Sequence, residues 1–417
     1  MTKERYLCNR LSGRAHSAGE LVIMNKSKRI FVYTEDTPVH RNVVAKGLRR
    51  AGTPILRSIR DYIDGIVIYP IGKRYEHCDL DLELAPLCDT LPRFTTLLCK
   101  AMRRYPVLDW GLSDALPPRM LAREVRRSTA DILFAFVGSD YGMLKRASRL
   151  AALAQKSSVF YVVDDFLASL QNSGAKKSSL QKAEKEARIA FSVAKHVFTI
   201  TDGLGEYLHD RFGVFTSTLS LAFEPEPRPA ASLKKQIIYV GSINFLYAEG
   251  LRDLFKAVEG VRRASGVDLR VRLTVSAELA ALDLGTLPSF VVAAPAESSI
   301  ELATEIASSL FAFLPYSFNS REKAMVTTSF PSKSMEYLAY ARSIVVYGPD
   351  YGVSTKLFQK SCMPSVVSSP AALEDMTRMH LKESPEYFVQ YRKYLATAHS
   401  LEAARKTICR DLGLGND

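Results

Sequence analysis

No run of apolar residues in this sequence approaches the roughly 20 needed to cross a bilayer. The longest, such as Val159-Phe-Tyr-Val-Val163 and Ser343-Ile-Val-Val-Tyr347, are strand-sized. The first 18 residues are basic and polar without an apolar stretch, so no secretory signal is read there and a cytoplasmic location is expected. Cysteine is sparse: positions 8, 78, 88, 99, 362 and 409 are scattered with no Cys-x-x-Cys. That scatter argues against a disulfide framework and a structural zinc site and for reduced, mostly buried thiols. Low-complexity tracts are absent too. Despite a pI near 9.3, no motif or interleaving of basic and aromatic residues typical of nucleic-acid readers is found, and no nucleic-acid partner is expected.

The excess positive charge is uneven. Residues 1–222 hold 34 Lys and Arg against 23 Asp and Glu, whereas the remainder holds 22 against 21. A half so biased is expected to face something anionic. Arg119, Arg123, Arg126 and Arg127 fall near one helical face, with Lys145, Arg146 and Arg149 soon after. These read either as a solvated face or as a peripheral contact with an anionic membrane surface.

At 417 residues the chain exceeds one ordinary core. Residues 1–27 show no periodicity and are expected to form a disordered extension. From 28 to 222, apolar segments at 30–33, 65–70, 131–137, 159–163 and 196–200 alternate with helical stretches, the pattern of βαβ units around a parallel sheet. Glu224-Pro-Glu-Pro-Arg-Pro229 places three prolines where neither a helix nor a central strand tolerates them, marking a stiff linker over 223–234. A second alternating series occupies 235–384, with a helix from about residue 250, and a helix is expected over 385–417. The fold class is therefore α/β, with two Rossmann-like domains.

Phe330-Pro-Ser-Lys-Ser-Met-Glu-Tyr-Leu-Ala339 is the most informative stretch. Pro331 and Ser332 suit a helix start, whose free N–H groups favour phosphate, and Lys333 adds a full charge. Glu336, one turn on, can border the same pocket and accept hydrogen bonds from ribose hydroxyls. The same residues also read as an exposed capped helix with a Lys–Glu pair. Gly241 and Ser242 end the first strand of the second series, where backbone can approach phosphate. Leu314-Pro-Tyr316 ends another strand at the same edge.

The order Ile237-Ile-Tyr-Val-Gly-Ser242, Glu249-Gly-Leu-Arg-Asp-Leu254, Leu314-Pro-Tyr316 and the 330–339 stretch resembles the donor domain of GT-B glycosyltransferases, nearest the group 1 (GT4-like) set. Val197-Phe-Thr-Ile-Thr-Asp-Gly-Leu-Gly-Glu-Tyr-Leu-His209 resembles the end of that family's acceptor domain, and Tyr161-Val-Val-Asp-Asp165 an earlier strand end facing its cleft. The resemblance implies GT-B architecture, with the C-terminal helix crossing back to the first domain. It also implies a nucleoside-diphosphate-sugar donor in the second domain and a glycan or lipid-linked acceptor in the first, with no cofactor or metal required. Gly241, Ser242, Tyr316, Ser332, Lys333 and Glu336 would hold the donor. On the acceptor side, His40 is a candidate base or an inert loop histidine, and Asp165 is a cleft carboxylate or a helix cap. The sequence departs from the family pattern at Thr328, where an earlier glutamate is common, at Glu249, where a basic residue is usual, and at Ala341-Arg342, where a glycine is usual. A sugar-nucleotide epimerase of the same shape and a non-catalytic partner subunit are the alternatives.

Overall fold

The computed structural model describes residues 28–34, 48–68, 84, 121–360 and 366–415. The expected extension over 1–27 and the candidate His40 lie outside the described residues. Two parallel six-stranded sheets form the framework. The first contains β1 (Ile30–Thr34), β2 (Ile63–Ile68), β3 (Ile132–Val137), β4 (Ser157–Val162), β5 (His196–Thr199) and β6 (Ser217–Thr218), in the order β2-β1-β3-β4-β5-β6. The second contains β7 (Gln236–Tyr239), β8 (Arg270–Leu273), β9 (Val291–Ala293), β10 (Phe311–Pro315), β11 (Ile344–Tyr347) and β12 (Val366–Val367), in the order β12-β11-β10-β7-β8-β9.

The central strands are continuous runs of Val, Ile, Leu, Phe and Tyr. Helices cover both faces of a parallel sheet, so successive residues are buried whichever way they point. Thus every residue of β1, β3, β10 and β11 is buried. Several of the intervening helices begin on side-chain caps: Thr201 accepts from the Leu204 N–H, Asn244 from Leu246 and Ser298 from Glu301.

The 223–234 segment has no regular structure and is tied at both ends, the Phe223 N–H to the His399 carbonyl at 2.7 Å and the Lys234 N–H to Ser308 at 2.7 Å. Beyond the second sheet the expected single C-terminal helix is two, Phe388–Ala398 and Leu401–Leu412, preceded by Pro370–Glu383. Ser400 starts the last helix by accepting from the Ala403 N–H, which breaks the run just after His399. The Phe388–Ala398 helix packs on Ser334–Tyr340 of the second half, and Leu401–Leu412 packs on Leu48–Ser58 of the first. Arg405 pairs with Asp61 at 2.9 Å, and Tyr62 donates to the Gly415 carbonyl at 2.6 Å. The C-terminal segment therefore crosses back to the first half. Arg342, half-buried, pairs with Glu386 at 2.9 Å and so anchors the start of that segment.

Among the described residues no helix is long and apolar enough to cross a membrane, and no cluster of His, Cys, Asp and Glu has the makings of a metal site.

Candidate active site

In the second sheet the strand order reverses between β7 and β10. A crevice opens outside the carboxyl ends of two such strands because their connections leave in opposite directions, and ligands of open α/β sheets bind there. Gly241 follows β7 with φ of +94°, a conformation that a side chain would strain. Its N–H donates to Thr274 Oγ1 at 3.0 Å, so the turn is fixed from the neighbouring strand rather than left free for a ligand. Ser242 beside it is exposed.

Lys333 reaches this crevice from the turn before the Ser334–Tyr340 helix. It is 6% exposed, its ammonium lies 4.0 Å from the centre of the Tyr239 ring and 3.7 Å from that of Tyr247, and its Nζ donates to Tyr239 Oη at 2.6 Å. The Tyr239 hydroxyl in turn donates to the Ser242 carbonyl at 2.7 Å. Two ring faces stabilise a cation that has lost much of its water. Burial, with Tyr247 and Tyr337 adding to it, holds the Tyr239 hydroxyl far above its usual range, so it remains a neutral donor.

Ser332 does not cap the helix with its side chain; its carbonyl accepts from the Met335 N–H at 3.2 Å. Glu336 sits in the first helical turn and is 8% exposed. Tyr316 is fully buried and its hydroxyl donates to the Ser329 carbonyl at 2.5 Å, which makes it a support for the 329–333 loop instead of a lining residue. Glu249 and Gly250 lie inside the helix Phe245–Ser265, which starts five residues earlier than the sequence reading placed it. Gly250 is where that helix meets β10: a Cβ there would stand 2.6 Å from Pro315 Cβ. Glu249 is exposed and borders an open cavity together with Asp283 and Glu322.

One supporting residue escaped the sequence reading. Tyr337 Oη accepts from the Val240 N–H at 2.8 Å and donates to the Phe313 carbonyl at 3.2 Å, tying the end of β7 to the middle of β10. Tyr337→Phe would leave a buried N–H without its acceptor. A loss of about 1–3 kcal/mol in unfolding free energy is expected by denaturant titration.

The carboxyl edges of the two sheets face each other. Thr201, after β5, donates to the Thr328 carbonyl at 2.8 Å, and Asn172 donates to Met325 Sδ at 2.9 Å. Of the two aspartates after β4, Asp165 is 1% exposed and uses Oδ1 to cap the helix Phe166–Asn172, accepting from Leu167 at 3.1 Å and Ala168 at 2.9 Å. Burial raises its carboxyl, against the pull of those N–H groups and of Arg211. Asp164, only partly buried, adds to burial in pushing up the Tyr247 hydroxyl of the other half. Its own carboxyl is pushed up to about 6, first by burial and then by Asp165.

Two Rossmann-like sheets, facing at their carboxyl edges and joined by a helix that crosses back, can be compared with known structures. Sucrose-phosphate synthase from Thermosynechococcus elongatus covers 92% of this chain and 98% of its own at a TM-score of 0.60 and 11% identity. The Anabaena protein HepE, solved with UDP and glucose, covers 92% and 99% at 0.61 and 11% identity. An α,α-trehalose-phosphate synthase (UDP-forming) from Burkholderia vietnamiensis covers 93% and 99% at 0.56 and 12% identity. The fold is GT-B. No family model matches the chain, and no curated protein matches it in sequence.

Proposed function

We propose that this chain is a glycosyltransferase that moves a hexosyl-type sugar from a nucleoside-diphosphate donor to a hydroxyl of a glycan or lipid-linked acceptor. The observation that carries the reading is the buried Lys333 ammonium at the β7/β10 crevice, held by Tyr239 and Tyr247. A cation fixed there meets the charge that develops on a departing diphosphate, and because it is already oriented it needs little rearrangement as the bond breaks. Glu336 is assigned to the ribose hydroxyls, with the turn at Gly241 and Ser242 and the main chain of Ser332 bordering the diphosphate. Three solved GT-B relatives act on or bind sugars or sugar phosphates by their names, and HepE was also solved with UDP-glucose, which supports the donor class.

Asp164, opposite that pocket, is better placed than Asp165 to touch an acceptor hydroxyl, because Asp165 is engaged in capping its helix. A carboxyl with a pKa of about 6 takes up a proton near neutrality and releases it again. The sign of its effect on stability follows. The folded pKa lies above the unfolded one, so the folded state holds the proton more tightly. Stability is fully kept below the unfolded pKa near 4 and declines as pH rises to about 6. Asp164→Asn is therefore expected to melt higher than the parent at pH 7.5, by at most about 3 kcal/mol, with no gain at pH 3.5. It should release nucleoside diphosphate from donor sugar at least about 100-fold more slowly. Unchanged turnover in this variant would remove Asp164 from the chemistry.

Contact with an anionic membrane belongs to the same proposal, and of the basic residues the sequence suggested for it Arg123, Arg126 and Arg127 are exposed. Arg146 is buried and paired with Asp140, and Lys145 pairs with Glu186 at 3.1 Å, while Arg119 lies outside the described residues. Ile189, Val193 and Phe215 are 56%, 63% and 84% exposed, and Lys182, Lys185 and Arg188 are exposed on the helix that carries Ile189. Apolar tips beside cations suit a lipid headgroup region. Co-sedimentation with phosphatidylglycerol vesicles, lost in Phe215→Ser, checks this.

The partner-subunit alternative draws on Glu249, whose carboxylate stands exposed near the crevice where a cation is usual. Incubation with UDP-, GDP-, ADP- and dTDP-sugars, following release of the diphosphate, separates the readings: an active transferase hydrolyses or transfers at least one donor, and a scaffold subunit none.

A further inference from the structure

A second cavity, of about 280 Å³, lies between the two halves beside the contact of helix Asp202–Phe212 with Thr327. Neither Lys333 nor its two tyrosines line it. One wall is Thr201, Asp202 and Glu206 of the first half, another is Phe330 and Lys356 of the second, and His399 of the C-terminal segment closes it.

His399 marks this as more than a packing gap. The residue is 4% exposed, and its Nδ1 lies 2.9 Å from the Leu221 carbonyl. A carbonyl only accepts, so Nδ1 carries the proton and Nε2 presents a lone pair. Burial lowers the pKa of the ring, in keeping with a neutral imidazole. The ring itself is fixed, stacked parallel to Phe330 with centroids 6.2 Å apart and packed edge-on to Tyr394. Yet among the described residues nothing hydrogen-bonds Nε2, although the atom is buried. A buried acceptor left in that state is costly; other buried atoms among the described residues share it, but among the residues lining this cavity His399 alone carries one.

The rest of the lining states what would fit. The carboxylates of Asp202 and Glu206 are exposed at the mouth, and Lys356 is the one cation among the lining residues. Acceptors outnumber donors and the local charge is negative, which disfavours phosphates and carboxylates and favours a ligand rich in O–H groups. Phe330 and Tyr351 add flat apolar surface, suited to the C–H face of a sugar ring.

We propose that this cavity is a second binding site, taking a neutral polyhydroxylated ligand of monosaccharide size, one hydroxyl of which donates to His399 Nε2. The inference does not rest on the donor reading, because it uses none of the same residues. A ligand seated here touches both halves and the segment that crosses between them, so its binding favours the arrangement of the halves in which all three walls meet.

The test is a calorimetric titration of the full chain with glucose, galactose, mannose and myo-inositol. At least one is expected to bind saturably with millimolar affinity. His399→Phe keeps the ring stacking and removes the acceptor, and should weaken binding roughly tenfold. Lys333→Met should leave it unchanged. Should His399→Phe fail to fold, Val353→Trp, at a half-exposed lining position, fills the cavity and should remove binding while the protein still melts cooperatively. Absence of saturable binding by all of these compounds up to about 50 mM overturns the proposal, since a useful site stabilises measurably at that excess. Binding that persists in folded Val353→Trp, or that disappears in Lys333→Met, overturns it as well.

Discussion

Lys333→Met is expected to lower the affinity for a nucleoside diphosphate about 10- to 100-fold while the protein still folds. The side chain of methionine fills the slot between the Tyr239 and Tyr247 rings, which lie 4.0 and 3.7 Å from the ammonium, so little cavity is created. What disappears is the charge and the hydrogen bond to Tyr239 at 2.6 Å. On the proposed role of the charge toward the diphosphate, the effect should be graded: large for the diphosphate, small for the corresponding nucleoside. Calorimetry on both ligands reads the difference directly. An equal loss on both would mean that the variant has damaged the whole crevice, and no loss on either would place the diphosphate elsewhere.

Gly203→Val is expected to separate the two halves without unfolding either. A Cβ on Gly203 would stand 2.3 Å from the Thr327 carbonyl oxygen, which belongs to the backbone of the other half and cannot rotate aside. The hydrogen bond from Thr201 to Thr328, 2.8 Å long, sits next to this contact and would stretch with it. Both substrates must be held across the cleft within a fraction of an ångström, and a displacement of about 1 Å can cost 100-fold in rate. Turnover should therefore fall by at least about that factor, whereas nucleotide binding, which we assign to the second half, should change by less than about threefold. Small-angle scattering should report a larger radius of gyration for the variant. A parent-like scattering curve with parent-like turnover would show that the contact at Gly203 does not set the cleft.

Most of the framework was legible because buried parallel strands leave a plain mark. The runs at β4, β5, β7, β10 and β11 are apolar on both faces, and the prolines between 225 and 229 interrupt them once. The start of the Phe245–Ser265 helix was missed for a physical reason. Glycine at 250 reads as a boundary, yet it serves a close approach to Pro315, and the true signal was Asn244, which caps the helix. The sequence reading favoured Asp165 over Asp164 as the cleft carboxylate, whereas Asp165 caps the helix Phe166–Asn172. A cap accepts from N–H groups two and three residues ahead, so a shift of one position decides which aspartate caps. Tyr239 and Tyr247 look like core aromatics in a strand and a helix, and only the fold reveals that they grip one lysine. His399 was hidden inside what reads as one C-terminal helix, where the break before Ser400 gives it a place between the halves.

The central claim is that the crevice holding Lys333 takes a nucleoside diphosphate. It is tested most directly by the melting temperature of the purified chain with UDP, GDP, ADP, dTDP and CMP, each at about 100 times a micromolar Kd, where a ligand of the folded state alone adds roughly 3 kcal/mol. The account predicts a clear upward shift with at least one of the diphosphates, abolished in Lys333→Met. No shift with any of them, or a shift that survives unchanged in Lys333→Met, would contradict it.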